Sequence, residues 1–142
     1  MVNQTTATRT RMRMARTAMR SCTEVSYQHA EAYPASELKH GPLALIDPDS
    51  PTVVILPRDE LLAKNLSTRE EIRARRGPVY LVTQPGPLEV PAHGVLEVPA
   101  SEPELDPLLL NIPLQLLAYR VALARDTDID QLRNLANSVT VE

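Results

Sequence analysis

The chain has 142 residues, 23% of them charged, a formal net charge of −3 and four Tyr as its only aromatic residues. That length is one domain or part of one, and its core must be built from Leu, Val, Ile and Ala. No uninterrupted apolar run approaches the roughly 20 residues of a membrane span, and Cys22, the single cysteine, excludes an internal disulfide and fits a reducing cytoplasm.

Residues 1–23 carry Arg9, Arg11, Arg13, Arg16 and Arg20 and no acid, whereas the remainder is acidic, with ten basic groups against eighteen carboxylates. A basic arm of this kind can bind nucleic acid or an anionic surface, and an Arg- and Thr-rich leader without acids also has the composition of a transit peptide. No aromatic residue interleaves the arginines, so the expectation is a disordered or non-native leader, not a nucleic-acid site, with at most a weak helix over 11–23. Residues 28–39 have helical composition except at Pro34, which should start or kink a helix, and Gly41-Pro42 should end it.

Thr52-Val53-Val54-Ile55-Leu56 is a continuous apolar, largely β-branched run between Pro51 and Pro57, the pattern of a strand buried on both faces. A helix is expected from Arg58 to Arg76, with Leu61, Leu62, Leu66 and Ile72 on one side and Gly77 closing it. Val79-Tyr80-Leu81-Val82 predicts a second buried strand and Val95-Leu96-Glu97-Val98 a third, weaker one, with a loop from Pro85 to Gly94 between them. Asp106-Pro107 predicts a helix start, Asp as N-cap and Pro at the first position, for a helix running to about Arg125. Leu109, Ile112, Leu116, Tyr119 and Leu123 form one stripe of it, Pro113 should bend it, and residues from Asp126 onward read as an irregular tail.

Apolar strands alternating with helices argue for an α/β fold with a short parallel sheet flanked by helices. Three strands leave exposed edges, an improbable stopping point for a domain. The isolated chain is therefore expected to be marginal, or to associate.

Two segments are more specific. The tail reads Asp130-Gln131-Leu132-Arg133-Asn134-Leu135-Ala136-Asn137-Ser138-Val139-Thr140-Val141-Glu142, and an internal stretch reads Glu24-Val25-Ser26-Tyr27-Gln28-His29-Ala30-Glu31-Ala32-Tyr33-Pro34 through Glu37-Leu38-Lys39-His40-Gly41-Pro42-Leu43-Ala44-Leu45-Ile46. Both resemble the isomerase part of the glutamine–fructose-6-phosphate aminotransferases, which make glucosamine 6-phosphate from fructose 6-phosphate and glutamine. Pro113-Leu114-Gln115-Leu116-Leu117-Ala118-Tyr119 is similar to that family's last helix. The resemblance covers Glu24 to Glu142 and implies an incomplete three-layer sugar-isomerase (SIS) fold: leader 1–23, part of the second SIS subdomain over 24–125, and tail 126–142.

The same resemblance implies site residues. Glu24 matches the carboxylate that moves a proton between C1 and C2 of the sugar, and His40 matches the residue that assists ring opening from the neighbouring subunit of a dimer. Ala136 matches a tail contact to the sugar. Asn137 stands where the family has the Schiff-base Lys, and an amide offers no nucleophilic amine. Leu132 replaces a family Pro, Ser21 and Thr23 stand in place of two Lys, and Val2 lies where the glutaminase nucleophile would be a Cys.

The first SIS subdomain, with its phosphate loop, has no counterpart. The expectation is a chain inactive alone, meeting fructose 6-phosphate or glucosamine 6-phosphate only if other chains complete the site. It would form a homo-oligomer or associate with an intact synthase in the cytoplasm, without nucleic acid, membrane or cofactor. The alternative is a non-catalytic module that binds sugar phosphate or docks on a synthase. Apart from the resemblance, Glu24 reads as a surface carboxylate and His40 as a helix-end residue. His29, Glu31 and Glu37 match no standard metal spacing, so no metal is expected, and His93 reads as an exposed loop residue.

Overall fold

The computed structural model describes residues 4–87 and 90–131. Its elements are α1 (Gln4–Ser26), two short 3-10 turns (Leu38–His40 and Pro42–Leu45), β1 (Thr52–Leu56), α2 (Leu62–Arg73), β2 (Val79–Thr83), β3 (Gly94–Glu97) and α3 (Asp106–Ala124). The three strands form one sheet in the order β1-β2-β3, and both pairings are parallel. Thr52 pairs with Val79 and Leu56 with Thr83, while Tyr80 pairs with Gly94 and Thr83 with Glu97.

Alternation along the strands sorts the core onto two faces. Leu56, Val79 and Leu81, with Val54 beside them, pack against Ile72, Leu62 and Leu66 of α2 and against Leu38 and Leu43 of the 3-10 turns. On the other face, Val53 and Ile55 meet Ala15, Ala18 and Leu114, and Val82 meets Val98 and Leu110. The result is α2 on one side of the sheet and the packed pair α1–α3 on the other, the three-layer arrangement that the family resemblance implies.

Residues 4–23 depart from the expected disordered leader. They are helical, and α1 lies along α3. Among its described side chains the buried positions are Ala15, Ala18, Cys22 and Ser26, spaced three, four and four, so small side chains make the inward stripe, while Arg13, Arg16 and Arg20 face outward and Arg11 is half-buried against Asp59. Large apolar residues are absent from that stripe, which is why the apolar period was invisible. Ser26 Oγ–H donates to Cys22 O at 2.5 Å, and Tyr27 adopts a left-handed conformation (φ 54°) that ends the helix.

Other elements are corrected in detail. Residues 28–39 make no α-helix, because Pro34 interrupts a segment too short to propagate one. Glu37 N–H instead closes a turn onto Pro34 O at 2.9 Å. Asp106 is the first residue of α3 and not its cap, accepting a hydrogen bond from Ser101 Oγ at 3.0 Å, while Leu105 takes the cap position. The helix runs on through the buried Pro113.

Of the expected stripe only Leu109 packs on the core, while Ile112, Leu116, Tyr119 and Leu123 face outward, and α3 instead buries Leu110, Leu114, Ala118 and Ala122. By length and composition this 19-residue helix is also apolar enough to cross a membrane, although it is held here against α1. The strands are less evenly buried than expected: β2 is enclosed except at Tyr80, β1 is mostly half-buried, and β3 leaves Val95 and Leu96 exposed.

Candidate functional site

Glu24 occupies the last turn of α1, half-exposed, with its carboxylate 3.5 Å from the Arg20 guanidinium one turn earlier. That turn is fixed to the end of α3. Thr127 Oγ1 lies 2.8 Å from Val25 O and 3.0 Å from Ala122 O, where its hydroxyl donates, and Arg125 Nη1 reaches Gln28 Oε1 at 3.4 Å. Asp126 turns the chain through a left-handed conformation (φ 53°), just before Thr127 meets Val25, the residue after Glu24. Sequence reasoning missed Thr127, since no local signal marks a contact across a hundred residues.

His40 ends the first 3-10 turn. Leu38 and Leu43 on either side are buried in the core against α2, and Gly41 between the two turns takes a φ of 142° that a side chain would strain. Lys39 Nζ pairs with Glu71 Oε1 at 2.8 Å. The segment is thus pinned at three points while the His40 ring projects outward, exposed. Among the described residues no hydrogen bond or ion pair joins His40 to Glu24. Ala136 and Asn137 lie outside the described residues.

Among the described residues the remaining ionisable side chains form no chemical centre. His29 Nε2 is 3.4 Å from Glu31 Oε1, and Glu31 also accepts from Tyr33 OH. Among the described residues no three His, Cys, Asp or Glu side chains converge as a metal site would require. His93 is exposed yet anchored, its ring Nδ1 accepting from Val79 N–H at 3.0 Å while its backbone N–H donates to Val79 O at 2.8 Å. The Asp47 carboxyl is held below its usual range by the Ser50 hydroxyl (2.7 Å) and then the Asp49 N–H (2.9 Å).

A groove of about 640 Å³ opens elsewhere, between α1, the outer edge of β1, α2 and residues 31–38, and neither Glu24 nor His40 lines it.

A family model described as "SIS domain" matches residues 4–125. The chain belongs to the SIS-domain family. This SIS domain is 53% identical over 121 residues to the glutamine–fructose-6-phosphate aminotransferase (isomerizing) of Escherichia coli O157:H7, a match covering 84% of this chain and 20% of that protein. It is 51% identical over 121 residues to the counterpart from Yersinia pseudotuberculosis. Among solved structures it superimposes on the C-terminal domain of glucosamine-fructose-6-phosphate aminotransferase from Francisella tularensis with a TM-score of 0.80 and 43% identity, covering 84% of this chain and 34% of that one. The SIS domain therefore spans about a fifth of the length of the curated relatives it matches and a third of the solved one. The family model begins at residue 4, so the fold reaches into residues that the sequence assigned to a separate leader.

Proposed function

We propose that this SIS domain carries part of the sugar-phosphate isomerase machinery of a glutamine–fructose-6-phosphate aminotransferase, and that the 142-residue chain has no synthase activity on its own. The observation that carries the first half is the 53% identity over 121 residues to enzymes of that name, across the stretch holding Glu24 and His40. In this reading Glu24 is the base that shuttles a proton between C1 and C2, a task that requires hydrogen-bond reach to the sugar C–H. His40 serves ring opening in a neighbouring subunit, which its exposure on a pinned turn, without a hydrogen bond or ion pair to Glu24 among the described residues, supports.

Inactivity in isolation rests on Asn137, whose amide cannot form a Schiff base, and on the small share of each relative that is spanned. Positioning the substrate is worth roughly 7–11 kcal/mol of barrier, and the relatives have several times this length of chain with which to achieve it. The buried, unpaired Cys22 fits the reducing cytoplasm in which such an enzyme would act.

The test is glucosamine 6-phosphate formation from fructose 6-phosphate and glutamine, with the chain alone and with an intact synthase. The expected outcome is none above a no-protein control for the chain alone, and product from the chain alone would sink the proposal. Asn137→Lys is expected not to restore turnover or borohydride trapping of fructose 6-phosphate, since the amine returns without the groups that orient the sugar. A second reading, a non-catalytic module that self-associates or docks on a synthase, is favoured by the exposed apolar stripe of α3.

A further inference from the structure

We infer that His93 is an acid-sensitive latch: its neutral imidazole holds the start of β2 to the segment leading into β3, and protonation of the ring releases that segment. The device is independent of the enzymatic reading.

Val79 opens β2 and is completely buried. One residue holds both of its backbone groups: Val79 N–H donates to His93 Nδ1 at 3.0 Å, and Val79 O accepts from the His93 backbone N–H at 2.8 Å. In a regular parallel ladder both partners would be backbone groups of the neighbouring strand. Here an imidazole takes the place of the carbonyl. A ring nitrogen accepts only while it carries no proton, so the neutral ring holds its proton on Nε2.

The latch secures a cover over the core. Val90 and Ala92, just ahead of His93, pack on the cluster of Leu56, Val79, Leu81 and Ile72. Beyond His93 the hold on β3 is slight, because the strand has four residues and leaves Val95 and Leu96 exposed. Gly94 keeps the Tyr80 ring close, since a Cβ there would meet Tyr80 Cδ1 at 3.1 Å, and the Tyr80 and His93 rings lie 6.1 Å apart between centroids.

Histidine is the side chain whose charge changes between pH 5 and 8, and His93 is exposed to solvent. A proton added at Nδ1 turns the acceptor into a donor aimed at another donor. Val79 N–H is then buried without a partner, an arrangement that favours opening. The latch is therefore closed above the histidine range and opens as pH falls through it. The titratable neighbours are Tyr80 from β2 and Glu97 farther along β3. His29 pairs with a carboxylate, whereas among the described residues the His93 ring has no such partner to hold its charged form. Glu89 lies outside the described residues, so its part is settled by substitution.

The experiment is amide exchange on the full chain from pH 8 to pH 5, expressed as protection relative to the unstructured rate at each pH. Val79 protection should fall by about tenfold or more across that range. Alternation turns the Val82 N–H toward β1, so Val82 protection should change by less than about twofold. His93→Asn places a carbonyl oxygen near the Nδ1 position and should keep Val79 protected at both ends of the range. His93→Ala should leave it weakly protected at both. Glu89→Gln should leave the response of the unaltered chain in place. Should the variants fail to fold, nitrogen-15 shifts of the His93 ring in the unaltered chain still decide: at pH 8 they should report a bare Nδ1 and a protonated Nε2.

A proton on Nδ1 at pH 8 overturns the proposal, as does Val79 protection that ignores pH. An equal fall at Val82 overturns it by making the transition a general acid unfolding. Persistence of the fall in His93→Asn, or its loss in Glu89→Gln, overturns it by placing the titrating group elsewhere.

Discussion

Helices α2 and α3 have opposite faults. α2 is a polar helix that buries a charge: Arg69 is 0% exposed, with Nη1 against the Glu70 carboxylate and with Nε and Nη2 lacking partners. α3 is an apolar helix that leaves large side chains in the open, with Ile112, Leu116, Tyr119 and Leu123 all exposed and Leu105 and Leu108 continuing the patch. In α2, Leu62, Leu66 and Ile72 mark the inward stripe, and helical spacing puts position 69 on it whatever residue stands there. In α3 two apolar stripes compete, and the one with small residues, Ala118 and Ala122, is buried, because α1 presents Ala15 and Ala18 in turn and the two helices can come close. Position on the helix, not polarity, decides burial in the first case. Side-chain size, not hydrophobicity, decides it in the second.

The comparison breaks most directly within α3. Leu114→Ala is expected to lose about 2–5 kcal/mol, as a truncation at a packed site does, whereas Leu116→Ala, 56% exposed, should change stability by about 0.5 kcal/mol or less. Urea denaturation measures both, and equal losses would mean the outward stripe is covered.

A smaller effect of opposite sign belongs to α2. Arg69→Leu should stabilise the chain by about 1–3 kcal/mol, since it removes two unsatisfied buried donors. A lower urea midpoint for that variant would show that Arg69 makes a compensating interaction.

Replacing Ile112 and Leu116 by Gln should leave the melt in place and reduce association in sedimentation velocity, because patches of this kind mark contact surfaces. An unchanged distribution of species would leave the patch without that role.

The smallest effect lies in the loop before β1. The folded state depresses the Asp47 pKa, so its contribution is present above the usual carboxylate range and disappears as pH falls through the lowered value. Asp47→Asn should flatten this part of the acid limb of a stability–pH curve, and an unaltered limb would show that the Ser50 contact adds nothing.

Much of the fold was legible in the residues. Thr52–Leu56 and Val79–Val82 become adjacent parallel strands because two β-branched, apolar runs separated by one helix can bury themselves only that way. α2 is shorter than the expected Arg58–Arg76: it runs Leu62–Arg73 with Ala74 as its cap, and Gly77 lies beyond a turn in which Arg76 is left-handed (φ 63°), where a side chain at 77 would meet Ile46 Cγ2 at 2.5 Å. The segments holding Glu24 and His40 were recognisable from residue identity, and the 53% identity extends over that region. Residues 4–23 were misread because α1 owes its place to α3, a partner about a hundred residues away, and no local pattern encodes such a contact. The outward stripe of α3 was misread because periodicity names faces without ranking them.

By itself, then, the sequence determined where β1 and β2 lie, that the strands run parallel, and which family the chain belongs to, since these follow from local sterics, periodicity and residue identity. Only the tertiary structure decided that an arginine-rich segment becomes a packed helix, that Arg69 is enclosed while Leu116 is not, and that β1 borders a groove. Each of these depends on which surfaces meet, and contact free energies summed across distant parts of the chain override the preference of any one residue.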